Sequence, residues 1–282
     1  MIDKLQEFVG DHHLNLYDIA VITDDGEESV YCQPCNACND SYSIAKLFVG
    51  TAVGILADKG LLSLENKITA VLEKEIRCNY DPRWDSVTIR HALTHRMGVN
   101  YNALDIDTHD TIKYNTNDYL SLILSHKPAY EPGTFYMYTD AAHYLLSRVI
   151  THMTGLKADE LINDKILVPL SFREAAWSRC PMNYTIGSSG LYTRASDIVK
   201  LAWTYMDYGK YNGHEIVSEQ WVRLAESEGY DVNNIDGSGF LGKAGMLGQM
   251  MLYSREKRIA VAWHSFETDH RDRAIIKCLN EL

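Results

Sequence analysis

Residues 41–60 read SYSIAKLFVGTAVGILADKG. From Ile44 to Leu56 nearly every position is apolar, and Lys46 alone carries a charge. A helix apolar around its whole circumference belongs in a core. A lysine is almost never fully buried unless it is paired or put to use. Ser43 stands three residues before Lys46, one turn back on the same helical face. In the plainer reading Ser43 caps the helix and Lys46 snorkels to water. In the chemical reading a hydroxyl stands beside the base it needs to become a nucleophile. The spacing does not choose between them, because roughly one Ser-x-x-Lys is expected by chance in a chain this long. A second one, Ser254 to Lys257, lies between the strand-like runs GQMMLY and RIAVAWHSF and reads as a hairpin connection.

The segments around this helix set the fold class. Residues 2–9 form a short predicted helix, and LYDIAVITDDGEESVYC reads as a hairpin turning at Asp24-Asp25-Gly26. Lys59-Gly60 ends the buried helix. From about 62 to 175 the pattern is helical with little strand. A short helix within DSVTIRHALTHRMGV ends near Gly98. TNDYLSLILSH is capped by Asn117 or Thr116, and DAAHYLLSRVITHMTG has Asp140 at its N-cap and Gly155 at its end. Helices in RASDIVKLAWTYMDYG and SEQWVRLAES follow, then the paired strands GMLGQMMLY and RIAVAWHSF and a C-terminal helix near 268–281. The expectation is an α/β (α+β) protein: an antiparallel sheet built from both chain ends, flanked by helices, with a mostly helical insertion. The sheet lobe is expected over 1–60 and 185–282 and the helical lobe over 61–184, with no Pro/Gly-rich linker between them.

Composition narrows the function. The 282 residues are 46% hydrophobic, enough for a sizeable core. A net charge of −11, with no compact Lys/Arg cluster, makes nucleic acid and anionic membrane poor partners. The first twenty residues lack an apolar signal-peptide region, and no run is long enough to span a membrane, so a soluble cytoplasmic protein is expected. Six cysteines are then mostly reduced thiols. Cys32, Cys35 and Cys38 of CQPCNAC have no evident fourth ligand for zinc, and free thiols near a strand end are the expectation, with no metal or other cofactor.

Four more stretches join the first: LTHRMGV (93–99), EPGTFYMYTDAAHYLL (131–146), GSSGLYTRASDIVKLA (187–202) and GKAGMLGQM (242–250). With Ser43-Ile-Ala-Lys46, and in this order, they resemble the serine β-lactamase-like family, which includes class C β-lactamases, penicillin-binding proteins and esterases of the same fold. The resemblance runs from about residue 14 to 265. It implies that Ser43 is the nucleophile, Lys46 its base, and Tyr138 the tyrosine of a Tyr-x-Asn element. Lys243-Ala244-Gly245 matches a Lys-Thr-Gly element on a strand beside the active site, with the amides of Ser43 and Met246 as an oxyanion hole. The residue types suit acyl transfer. Desolvation favours a neutral Lys46, the helix N-terminus favours a developing oxyanion at Ser43, and Tyr138 serves deacylation and protonates the leaving group. His95 reads as a hydrogen-bonded framework histidine. The absence of a Gly-x-Ser-x-Gly elbow gives an α/β-hydrolase triad no support.

Two positions depart from the family pattern. Asp140 stands where penicillin-recognising members carry asparagine, and an ionised carboxylate cannot donate a hydrogen bond to a substrate carbonyl. Ala244 replaces the threonine of Lys-Thr-Gly, removing a hydroxyl that would meet a substrate carboxylate. The segment between the first strands and Ser43 is also short for the family. The expected activity is therefore hydrolysis of a small ester, amide or lactam through an acyl-enzyme, with an ester favoured and Asp140, Lys243, Gly245 and Met246 meeting the substrate. A penicillin-binding protein or class C-type β-lactamase is one alternative, and a catalytically inactive binding module on the same fold is another.

Overall fold

The computed structural model describes residues 1–281. It divides into two compact units: residues 1–44, 167–176 and the described residues from 191 onward form the first, and residues 45–166 and 177–190 the second. The sequence pattern suggests a boundary near residue 60; by contacts the chain crosses from one unit to the other at 44/45, because the apolar helix packs among the helices that follow it.

The first unit carries a six-stranded sheet. Its strands are β1 (Leu16–Thr23), β2 (Gly26–Tyr31), β3 (Asn233–Asn234), β4 (Leu241–Ala244), β5 (Met250–Ser254) and β6 (Ile259–Ser265), in the spatial order β2-β1-β6-β5-β4-β3. Both ends of the chain therefore contribute, as expected. The β1–β2 hairpin turns at residues 24–25, and the second Ser-x-x-Lys lies at the β5–β6 hairpin, where Ser254 pairs with Ile259. β1 and β6 are antiparallel neighbours, with Ile19 opposite Trp263 and Val21 opposite Val261. Their nearly unbroken apolar runs fit strands covered on both faces. One cluster joins Ile19, Val21, Val261 and Trp263 to Leu5 and Val9 of the helix Ile2–Asp11 and to Ile275 and Leu279 of the helix Ala274–Glu281. The helix Ala195–Met206 packs against β1, β5 and β6. β2 is an edge strand, and its exposed Glu27 and Glu28 discourage pairing with another chain.

In the second unit the helix Ala45–Asp58 is buried from Ala45 through Leu56. It packs on the helices Asp140–Thr154 and Ala158–Ile162. Gly155 ends the 140–154 helix at φ +75°, its N–H donating to Thr151 O, the left-handed cap expected of glycine. Two N-caps differ from the expectation. Asp118, not Asn117 or Thr116, caps the helix Tyr119–Leu124, its carboxylate accepting from the amides of Leu120 and Ser121. Thr139, not Asp140, caps the 140–154 helix, its hydroxyl accepting from the Ala141 amide. Both shifts are of one or two residues, and any of these side chains can accept a capping bond. Among the described residues no helix is long and apolar enough to cross a membrane.

One carboxyl in the first unit is held against its preference. Asp272 is fully buried and accepts from the Trp263 indole N–H at 3.2 Å, and burial raises its pKa to about 6. Since the unfolded carboxyl titrates near 3.8, the folded state binds the extra proton between those values, and stability falls as pH rises through that window. Asp272→Asn keeps an acceptor for Trp263 and removes the charge. Thermal melts should show the variant gaining several degrees over the wild type at pH 7.5 and little or nothing at pH 3.8; an equal difference at both pH values would contradict the assignment.

Candidate active site

In the first unit, Asn39–Asp40 pairs with Leu191–Thr193, and the Ser41 amide donates to Leu191 O at 2.9 Å. The chain then turns sharply. Tyr42 takes a left-handed conformation (φ +46°), and its amide donates to the Asp40 carboxylate at 2.9 Å. Ser43 follows in a 3-10 turn, Tyr42–Ile44, that runs without a break into the helix starting at Ala45. The turn packs against β4. At the end of β4, a Cβ on Gly245 would lie 2.6 Å from Ser41 O and 2.9 Å from the Gln249 side chain, so only glycine permits this approach. Gly245 N donates to Gln249 O at 2.8 Å, closing a tight turn that leaves Met246 36% exposed.

Lys243 lies two residues back on β4, opposite Met251 of β5. It is buried, and its ammonium pairs with the buried carboxylate of Asp231. Asp231 sits at φ +58°, a left-handed conformation that aspartate tolerates better than most residues. The strand-edge lysine therefore arrives with its own counter-charge, which no motif in the sequence announces.

In the second unit, Lys46 has no exposed surface. Its ammonium donates to Asp140 Oδ1 at 2.6 Å and to the Ser188 carbonyl at 2.9 Å. Nζ also lies 4.8 Å from the centre of the Tyr138 ring, within cation–π range. The snorkelling alternative for Lys46 is thus replaced by burial with partners. The Ser188 carbonyl is presented by the turn 187–190, whose two glycines both have φ +73°. A Cβ on Gly187 would fall 2.5 Å from His143 O, so the turn seats directly on the 140–154 helix. The Trp177 indole N–H bonds Ser189 O, and the Ser189 hydroxyl bonds Asp107, which pins the same turn.

Because Thr139 takes the capping role, the carboxylate of Asp140 is turned to Lys46, and its amide donates to Asn102 Oδ1 at 2.9 Å. His95 is buried, its Nδ1 placed 3.3 Å from the Thr139 amide as acceptor, and its ring stacks 4.6 Å from Tyr138 and 5.3 Å from His143. An Nδ1 that accepts leaves the proton on Nε2, and the ring acts as framework beneath the tyrosine.

The structure thus groups Lys46, Tyr138 and Asp140 in one unit, and Ser43, Lys243, Gly245 and Met246 in the other, with Ser43 and Lys46 three residues apart on one continuous backbone. Asp231 and the Ser188 carbonyl are additions that the sequence did not single out. The only hint of the second was the pair of glycines around Ser188-Ser189. The cysteines of CQPCNAC are partly buried thiols. Burial raises Cys32 to about 11; at Cys38, burial and then the Glu174 carboxylate 2.9 Å away raise the thiol to about 12. Little reactive thiolate is present there at neutral pH.

Comparison with known proteins gives the family and the fold. The chain is 23% identical over 204 residues to an uncharacterized protein of Alkalihalophilus pseudofirmus, covering 66% of this chain and 53% of that one. It is 25% identical over 143 residues to penicillin-binding protein 4* of Bacillus subtilis, covering 49% of this chain and 30% of that one. It therefore spans about half of the first relative and under a third of the second. The structure of a D-stereospecific amidohydrolase from a Streptomyces species superposes with a TM-score of 0.75 at 13% identity, over 99% of this chain and 98% of the other, so the two share a fold. The family model described as Beta-lactamase matches residues 36–274, and on that extent the chain belongs to the Beta-lactamase family.

Proposed function

We propose that the chain is a serine hydrolase that works through an acyl-enzyme on a small, uncharged ester or amide. The observation that carries this reading is the state of Lys46: a fully buried amine, three residues after Ser43, held by Asp140 and by the Ser188 carbonyl under the ring of Tyr138. A buried amine with that much polar support is costly to build for packing alone. Membership of the Beta-lactamase family and the fold shared with an amidohydrolase support the same reaction class.

In this mechanism the Ser43 hydroxyl attacks the substrate carbonyl carbon while neutral Lys46 takes its proton. Burial favours the neutral amine needed for attack, and the Asp140 carboxylate, paired with the resting ammonium, opposes its loss of a proton and stabilises the ammonium that forms again during the reaction. The amides of Ser43 and Met246 receive the oxyanion, where loss of one donor typically costs about 3–4 kcal/mol. Tyr138 relays the proton to the departing alcohol or amine, leaving an acyl ester on Ser43. Water, activated at the same tyrosine, then adds to that ester and releases the acid, restoring the serine. Lys243, neutralised by Asp231, supports the edge of the site without adding net charge.

Substrate choice follows from the two departures. Asp140 offers no donor for a substrate carbonyl, one of its oxygens is engaged by Lys46, and Ala244 offers no hydroxyl. Anionic β-lactams and D-alanyl peptides lose both a carbonyl donor and a carboxylate partner, whereas a neutral substrate has no carboxylate to lose a partner for. A second reading, true penicillin recognition, is favoured by the similarity to penicillin-binding protein 4*. Parallel assays with a fluorescent penicillin and a short-chain nitrophenyl ester separate them: the proposal expects ester turnover with weak or no penicillin labelling.

An activated phosphonate should label Ser43 alone, by mass spectrometry of the modified peptide. Ser43→Ala should abolish labelling and lower kcat by at least about 10³-fold. A labelled wild type with its adduct elsewhere, or none at all, would favour a binding module. Acylation should fall as pH drops and Lys46 gains its proton. Asp140→Asn removes the charge that favours the ammonium, so the acidic limb of the acylation profile should move to lower pH. An unmoved limb in a variant with wild-type circular dichroism would remove Lys46 from the role of base.

A further inference from the structure

Within the eight residues ahead of Tyr138 the second unit displays three exposed aromatic side chains. Tyr130, Phe135 and Tyr136 are 43%, 38% and 54% exposed. Contiguous exposed apolar surface can mark a binding site. The segment that carries them is clamped. The amides of Ala129 and Tyr130 both donate to Gly98 O, Gly133 N donates to Arg96 O at 2.7 Å, and Met137 N donates to His95 O at 2.8 Å. Gly98 is held at φ +86°, and a Cβ there would meet Tyr130 O at 2.3 Å, so the segments around 98 and 130 lie in direct backbone contact. Tyr130 and Phe135 stack with centroids 4.3 Å apart.

Tyr136 connects this surface to the reacting groups. Its ring meets His95 edge-on at 6.0 Å, and the same His95 ring lies 4.6 Å from Tyr138. The Arg96 guanidinium sits 5.8 Å from the Tyr136 ring centre. Tyr136 is therefore one ring removed from Tyr138, fixed in place and open to solvent.

We infer that Tyr136, held by His95 and Arg96, determines specificity by receiving an aromatic ring on the leaving-group side of the substrate. The assignment rests on the serine-hydrolase reading above. In that reading Tyr138 hands its proton to the departing oxygen or nitrogen, so a surface beside Tyr138 faces the leaving group rather than the acyl chain. The substrates selected are arylalkyl esters or amides, with the ring packing on Tyr136 in offset or edge-to-face geometry.

The test varies only the leaving alcohol. Ethyl acetate and 2-phenylethyl acetate share an acyl group and release alcohols of similar basicity, and acetate release follows both. Wild type should favour the phenylethyl ester by about tenfold in kcat/KM. Tyr136→Ala should bring that ratio to about one, and Tyr136→Phe should retain most of it. A ratio unchanged in Tyr136→Ala, with circular dichroism showing a folded protein, overturns the inference while leaving the hydrolase reading intact. An unchanged ratio with a change in sedimentation would assign the rings to contact between copies of the chain instead. Hydrolysis of neither ester, together with no phosphonate adduct on Ser43, overturns the reading on which the inference stands.

Discussion

The ion pair between Lys46 and Asp140 is the constraint around which the helical unit is arranged. A charge sits inside the most apolar helix of the chain, and its partner comes from ninety-four residues further on. Taking one member away from such a pair leaves an uncompensated buried charge, which typically costs about 3–5 kcal/mol. The pair thus specifies which turn of the 45–58 helix meets which turn of the 140–154 helix, where apolar surfaces alone would tolerate sliding. It also explains a division of labour at the second helix. Thr139 accepts from the Ala141 amide, and Asp140, relieved of capping, turns inward.

Lys243 and Asp231 repeat the arrangement in the sheet unit: a buried lysine delivered together with a buried carboxylate. Each cation of the motif set is therefore close to electrically neutral as a pair. In the proposed mechanism, pairs of this kind offer polar groups with little long-range field. In a chain with a net charge of −11 that is a poor lure for anions and a workable one for neutral molecules.

Much of this was legible in the residues. The Ser43–Lys46 spacing inside an apolar run, the two hairpins, the glycine stop at Gly155 and the helical middle all express local rules, and each appears at its expected place. The misjudged details are those decided by competition between neighbours. Threonine and aspartate can both cap a helix, and only the presence of Lys46 shows why Thr139 does so. Asp231 escaped notice because its partner is fixed by strand pairing and by a left-handed backbone turn, neither of which leaves a periodic pattern. The Ser188 carbonyl escaped because a backbone acceptor carries no side-chain signature at all. The early boundary at 44/45 has the same origin: helix packing, rather than composition, assigns the apolar helix to its unit.

The pairing of β1 with β6 has a consequence for how the molecule comes into being. The central strand at residues 16–23 finds its neighbour at 259–265, more than two hundred residues later on the ribosome. At ordinary rates of translation that is a wait on the order of ten seconds or more. Until the helix Ala195–Met206 emerges, the apolar stretch Ile19–Ile22 has only β2 and the N-terminal helix Ile2–Asp11 to pack on. The helical segment at 45–166 is nearly continuous in the chain and is free to collect itself meanwhile. The nascent protein is thus expected to carry a formed helical half beside an unfinished sheet, and its exposure to chaperones and to misassembly should concentrate in that interval.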